Sequence, residues 1–361
     1  MSGFPIKTKR WAVYAVMFAT GIGISPVVKA QQISETGSTL IYPLFEAWSA
    51  AYTKVEPNVQ IKANATGSGT GIAQAISKQV HIGTTDAYLT DNQAMANPHL
   101  LSIPLAISAQ TVQVNLPELR GGSLKLSGPV LAGIYSGKIS QWDDSAIAAL
   151  NGGVSLPHRA IVPVRRADGS GDTFIFTQFL SFSTSSVEGA ISWESTIGYG
   201  TTVNWPAVSA VQTVSSNQQM VDKIAHTPYS LGYLGGSFEG DAKRAGLITA
   251  SLQNQAGNFL LPTASTIRAA AAELTPRTPP DERLTLVFAP GANSYPLINY
   301  EYALVSEEQQ DAQTAQALVN FLLWAISPQG GNASSFLDPV HFIPLPTSIR
   351  AKSEIQIDKI H

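Results

Sequence analysis

The sequence predicts an α/β fold whose sheet is mostly parallel. Short apolar runs alternate with amphipathic stretches from Gln31 onward. The resulting order is strand, helix, strand, helix, the pattern that puts helices on the faces of a parallel sheet. In addition, three Gly/Ser/Thr-rich stretches fall where a strand-like run gives way to a helix-like one.

In chain order, Gln31–Glu35 reads as extended. From Pro43 to Val55, Leu44, Trp48 and Ala51 recur at helical spacing behind a proline suited to a first turn. Val59–Ala65 reads as a strand, Gly71–Lys78 as a helix and His81–Thr85 as a strand. Thr111–Leu116 is a short apolar run ended by Pro117. Helices are expected at Pro129–Ile134 and Asp143–Leu150, a strand at Ala160–Val164 and a helix at Gly171–Phe182. Glu301–Val305 reads as a strand. Asp311–Ala325 reads as a helix with Ala315, Leu318, Phe321, Leu322 and Ala325 on one side. The Ala-, Pro- and Thr-rich stretch from Gly257 to Pro290 looks loosely specified.

Length and charge narrow the function. A chain of 361 residues has room for two domains. Residues 1–30 read as a secretory signal. Lys7, Lys9 and Arg10 precede an apolar run from Trp11 to Ile24, and Val28-Lys29-Ala30 offers a cleavage site before Gln31. The alternative, a membrane anchor, would need roughly 20 apolar residues, more than this run supplies. Removing the four positive charges of residues 1–30 leaves 18 basic against 25 acidic residues, a net of −7. That balance argues against a nucleic-acid groove. The chain has no cysteine, so an exported form has neither disulfides nor a lipidation site. The six histidines show no metal-ligand spacing, and no metal or cofactor is expected.

The three small-residue stretches are Thr36-Gly37-Ser38-Thr39-Leu40, Thr66-Gly67-Ser68-Gly69-Thr70-Gly71, and Asp168-Gly169-Ser170-Gly171-Asp172 behind Arg165-Arg166. Strand-to-helix turns expose unpaired N–H groups at the positive end of a helix dipole, and small residues let an anion approach them. Taken singly, each stretch is best read as a cap or a tight turn. Together, and beside arginines, they suggest an anion site. None ends in Gly-Lys-Ser/Thr like a nucleotide P-loop. Asp168, Ser170 and Asp172 alternate like the start of a calcium loop, but the sixth and twelfth positions hold Thr173 and Phe179 where Gly and Glu are required. A Gly-x-Ser-x-Gly nucleophile elbow is absent from these stretches.

These stretches and their order resemble the phosphate-binding proteins of bacterial phosphate ABC importers. The resemblance covers most of the chain after residue 30. It rests on RRADGSG before an aromatic-rich helix, and on TGSGTGI followed by IGTTDAYLT. Further matches are IYSGKISQWDDSAIAALN, SLGYL and NSYPLINYEYALV. It implies a two-lobed periplasmic-binding-protein clamshell of type II, with phosphate between lobes that close about a hinge. One lobe would comprise residues 31–108 and 292–361, the other 109–291, with the hinge near Ala106–Gln110 and Asn293–Leu297. The implied partners are inorganic phosphate and an inner-membrane ABC permease, served by a periplasmic monomer.

Matched motif to motif, the resemblance implies that Thr39 supplies a hydroxyl, Leu40 a backbone N–H and Ser68 a hydroxyl. It implies that Asp86 faces the ligand and that Arg166, Ser170 and Gly171 close from the other lobe. Asp168 would brace Arg166. At Asp172 the family often has Thr, so here the backbone N–H is expected to donate while the carboxylate points away or caps the helix. Asp86 is the expected selector. An ionised carboxylate only accepts hydrogen bonds, which suits a phosphate that carries a proton and repels fully deprotonated sulfate. Arsenate, nearly isosteric and protonated alike, remains an alternative ligand. A phosphate-ester hydrolase is the weaker rival, because no base stands beside a candidate nucleophile. Arg166→Ala is expected to weaken binding strongly and spare the fold, and binding is expected to depend weakly on salt.

Overall fold

A computed structural model describes residues 30–185 and 192–361. The expected signal segment therefore lies, except for Ala30, outside the described residues. Strand β1 (Gln31–Gly37) leads into α1 (Tyr42–Val55), which buries Leu44, Phe45, Trp48 and Tyr52 along one face. β2 (Val59–Lys62), α2 (Ser68–Ile76) and β3 (Ile82–Thr85) follow, and both new strands pair with β1 in parallel. α3 (Asp91–Ala96) starts at a Thr90/Gln93 capping box.

β4 (Leu100–Val114) is the structural pivot. The sequence reading placed only Thr111–Leu116 here, because Pro104 interrupts the apolar pattern. In the fold Pro104 sits beside a slip in register between Glu301 and Tyr302 of the neighbouring strand, where a missing N–H is tolerated. β4 is buried almost throughout, so it reads as a continuous apolar run rather than an alternation.

The second half begins with β5 (Lys125–Leu126), α4 (Gly128–Tyr135) and α5 (Ser145–Leu150). β6 (Val162–Arg166) then feeds α6 (Gly171–Thr184), whose residues are nearly all buried. Its Thr177, Ser183 and Thr184 hydroxyls donate to carbonyls one turn back, which lets a partly polar helix sit in the core. After α7 (Trp193–Thr196) come β7 (Gln212–Val214), α8 (Asn217–Ala225) and β8 (Ser230–Gly235). α9 (Glu239–Arg244) leads to three short strands, β9 (Ile248–Thr249), β10 (Ser251–Gln253) and β11 (Phe259–Leu260). The stretch from Gly257 to Pro290 is more ordered than its composition suggests. It holds α10 (Ala264–Leu274), which opens on a Thr263/Thr266 capping box and buries Ile267, Ala270, Ala271 and Leu274. β12 (Ile298–Ser306), α11 (Ala312–Ile326), α12 (Ser334–Leu337) and α13 (Thr347–Ile357) complete the chain.

The main sheet runs β2-β1-β3-β12-β4-β8-β6-β7, with β9 also on β4. The strands of its two flanks pair in parallel, as strand–helix alternation predicts, whereas β4 and β12 run antiparallel to each other and to their outer neighbours. β4 pairs with β12 through Ala109 and with β8 from Gln110 onward. One strand thus belongs to both lobes of a clamshell. The β1–α1, β3 and β6–α6 junctions face one another across the cleft.

Candidate functional site

Strand geometry decides which arginine enters the cleft. Successive side chains on a strand point to opposite faces. Arg166 is therefore buried, while Arg165 lies half-exposed with its guanidinium 5.4 Å from the Trp205 ring centre. Asp168 grips Arg166 with two parallel bonds, Nε to Oδ1 at 2.7 Å and Nη2 to Oδ2 at 2.6 Å. This is the pairing expected of it, and it fixes the plane of the guanidinium.

α6 starts as a helix should. Ser170 is its N-cap, with an extended backbone and a hydroxyl that accepts from Thr173 N–H at 3.2 Å. The expectation that Asp172 caps the helix or points away is therefore corrected. Its carboxylate turns into the cleft and accepts from Arg166 Nη1 and Asn217 Nδ2, both at 2.8 Å, and from Gln110 Nε2 at 3.1 Å. Ser170 already holds the cap, and a buried anion needs the nearest cation. Burial raises the proton affinity of Asp172, and Arg166 opposes that rise. The N–H groups of Gly171 and Asp172 lie ahead of the helix's own bonding ladder.

The facing wall is built on β1, α1, α2 and β3. Thr39 Oγ1 accepts from Asn217 Nδ2 at 2.9 Å, across the cleft, and lies 3.5 Å from Arg166 Nη1. That leaves its own proton to donate. Leu40 is buried, and its N–H reaches Ser38 Oγ at 3.0 Å, a partner the sequence reading did not assign. Ser68 donates to Asp86 Oδ2 at 3.2 Å and accepts from Asp86 N–H at 3.2 Å. Ser38 donates to Asp86 Oδ1. Behind this wall Thr84 Oγ1 takes Ser38 N–H at 3.0 Å and donates to Glu35 at 2.5 Å, and burial pushes the Glu35 carboxyl up to about 8. Asp86 is 2% exposed, and burial and the charge of Asp172 push it up to about 7.

Eight of the nine predicted residues are thus buried around one cleft, with Asp168, 17% exposed, at its rim. The walls touch through glycine. Gly69 N–H donates to Gly169 C=O at 2.7 Å, and a Cβ on Gly171 would lie 2.2 Å from Asp86 Oδ2. Gly67, with φ of 91°, brings the second loop onto Asp168. Ser38, Gln110, Asn217 and Glu301 were missed. Ser38 lies inside a motif that was noticed, whereas Asn217 opens α8 in a stretch without one, Gln110 was named only as the end of an expected hinge, and Glu301 reads as an ordinary strand position.

The chain matches the PBP superfamily domain over residues 26–329. It is 34% identical to the phosphate-binding protein PstS of Pasteurella multocida, across 97% of this chain and 95% of that one. It is 31% identical to PstS of Haemophilus influenzae, across 91% and 93%. Among solved structures, a high-affinity periplasmic phosphate-binding protein, PfluDING, solved with phosphate bound, superposes with a TM-score of 0.70 at 20% identity, covering 90% of this chain and 93% of that one. The alternating strand–helix plan, the shared pivot strand and the loops that meet across the cleft therefore have one common origin: the chain belongs to the PBP superfamily, within the PstS family of phosphate-binding proteins.

Proposed function

We propose that this protein binds inorganic phosphate in the cleft between its lobes and hands it to an ABC permease for import, acting in the periplasm as a monomer after removal of residues 1–30. The observation that carries the reading is the pairing of donors and one acceptor across the cleft. The Arg166 fork, the Thr39, Ser68 and Ser170 hydroxyls and the N–H groups of Leu40, Gly171 and Asp172 offer hydrogens to oxygens. Ser38 and Ser68 would turn from their present partners to serve the anion, and Asp86 would accept the proton that phosphate carries and sulfate lacks. The lobes, residues 31–108 with 292–361 and residues 109–291, would rock about the place where β4 changes partner and about Asn293–Leu297.

The titration of Asp86 gives the selectivity a pH limit. Its folded proton affinity corresponds to a pKa of about 7. Below that pH the carboxyl acquires a hydrogen to offer, and the barrier to sulfate fades. Arsenate, protonated like phosphate, stays a competing ligand. Ester hydrolysis is disfavoured because the Ser170 hydroxyl is engaged as a helix cap rather than by a base. Titrating the mature protein with phosphate, arsenate and sulfate while following tryptophan emission tests the reading. Trp205, stacked 6.4 Å from the Tyr233 ring whose hydroxyl accepts from Arg166 N–H, is one reporter linked to the cleft by contact. Tight phosphate binding with weak sulfate binding at pH 8 is expected, and equal affinities would overturn it. Turnover of a chromogenic phosphate ester, lost in Ser170→Ala, would revive the hydrolase.

A further inference from the structure

Glu301 is a fully buried acid for which phosphate binding, as described above, has no use. It sits on β12 at the slip in register beside Pro104, and such bulges re-aim a side chain. Its Oε1 accepts from Ser108 Oγ at 2.6 Å and from Asn299 Nδ2 at 3.0 Å. Its Oε2 is buried and, among the described residues, meets no N–H or hydroxyl donor. The antiparallel register, with Tyr302 opposite Thr85, brings Glu301 level with Asp86 just past the end of β3, and Asn299 Nδ2 reaches both the Glu301 carboxyl at 3.0 Å and the Asp86 carbonyl at 3.4 Å. Two ionised carboxylates brought together there could not bond to each other, since each only accepts. One of them carries the proton.

The surroundings say which. Asp86 faces Arg166 across the cleft and accepts from the Ser38 and Ser68 hydroxyls, with Asp172 as its one repelling neighbour there. Glu301 has only neutral donors. β4 and α2, packed against β12, carry no titratable residue, β3 carries none before Asp86, and α10 carries only Arg268 and Glu273, both exposed. We propose that Glu301 is protonated and donates its Oε2 hydrogen to Asp86, and that this positioning residue keeps Asp86 an ionised acceptor able to reject sulfate. The directions of the two titrations agree. Burial and the charge of Asp86 push Glu301 well above the carboxylate range, while the bond from Glu301 draws Asp86 down. Without that donor Asp86 holds its own proton more tightly and presents sulfate with a hydroxyl.

The role in selectivity rests on the phosphate reading; the protonation does not. The difference between isotope-edited infrared spectra of the anion-free native protein and of Glu301→Gln at pH 7 should contain a protonated-carboxyl band, over the bands of other buried acids such as Glu35, and its absence from that difference would overturn the proposal. Calorimetric titration with phosphate and with sulfate, from pH 5.5 to 8.5, tests the rest. Glu301→Gln should stay within about threefold of native, because an amide replaces the donor and keeps the acceptor. Glu301→Met should lower the phosphate-over-sulfate ratio about tenfold, within the range expected for one lost buried hydrogen bond. Unchanged selectivity in Glu301→Met, or equal damage in both variants, would overturn it. Should Glu301→Met fail to fold, the infrared band and the Glu301→Gln titration decide. A native protein that shows the band and binds no phosphate would sink the phosphate reading alone.

Discussion

Asp86 and Asp172 stand on opposite walls of the cleft, equally buried, and are held in different ways. Asp172 is clamped by Arg166, Asn217 and Gln110, so its charge is neutralised within its own wall. Asp86 has two hydroxyls and a neighbouring acid, with its cation only across the cleft. The first arrangement is structural: it fixes α6 against the end of β6. The second leaves a carboxyl whose protonation can respond to what lies in the cleft. The same residue type is thus tied to a guanidinium on one wall and left without one in its own wall on the other.

The largest test of this contrast removes Arg166. Arg166→Ala leaves Asp168 and Asp172 without their cation. We expect a loss of about 3–5 kcal/mol of stability, the usual consequence of breaking a buried ion pair, together with loss of phosphate binding. Denaturant titration and calorimetry would show both. This revises the sequence-based expectation that the fold would be spared. Adding Asp172→Asn should restore part of the stability and none of the binding.

Asp86→Asn comes next. Sulfate discrimination at pH 8 should fall by roughly 5- to 150-fold, the equivalent of one lost or mismatched buried hydrogen bond, in competition calorimetry. Its stability should respond in a direction opposite to that of a salt-bridged acid. The folded pKa of Asp86 is raised from 3.8 to about 7. Its contribution is therefore complete below the unfolded value and is lost as pH rises through the folded one. The Asn variant lacks that slope. Anion-free, it should melt above the native protein beyond pH 7, with the gap closing toward pH 4. A gap that widens on acidification would mean that folding lowers the proton affinity of Asp86 instead of raising it.

Gly171→Ala tests how closely the walls must approach. Its Cβ would overlap Asp86 Oδ2 and Ser68 Oγ. Overpacking typically costs about 1–3 kcal/mol, so phosphate affinity should drop about 10- to 100-fold. Asn217→Ala unties Thr39 and Asp172 together. The expected loss is near tenfold in affinity, about one buried hydrogen bond. The smallest effect is that of salt. Attraction confined to buried groups is poorly screened, so raising salt to several times the physiological level should change phosphate affinity by less than about threefold.

How much of this was legible in the sequence varies with the residue. The α/β class, α1, α6 and α11 follow from apolar spacing and capping residues that act within a few positions. The cleft loops were legible because small residues beside strand ends have few other uses when they recur. β4 was mostly missed, since Pro104 disguises a strand whose pairing is decided by β12, almost two hundred positions away. α10 was missed because its stretch is rich in Ala, Pro and Thr, although its capping box is local. The orientation of Asp172 could not be read, because its partners Gln110 and Asn217 arrive from β4 and α8.

The sequence by itself determined the alternation of strands and helices and the small-residue loops at strand ends, because these depend on short-range pattern and residue chemistry, and its family resemblance nominated Asp86, Arg166 and their neighbours as candidates. Only the tertiary structure decided which arginine turns inward, which aspartate is clamped and which is left able to titrate, and that Glu301 lies behind Asp86. Those outcomes depend on burial and on charges brought together from distant strands, and an electrostatic environment of that kind has no signature in the local order of residues.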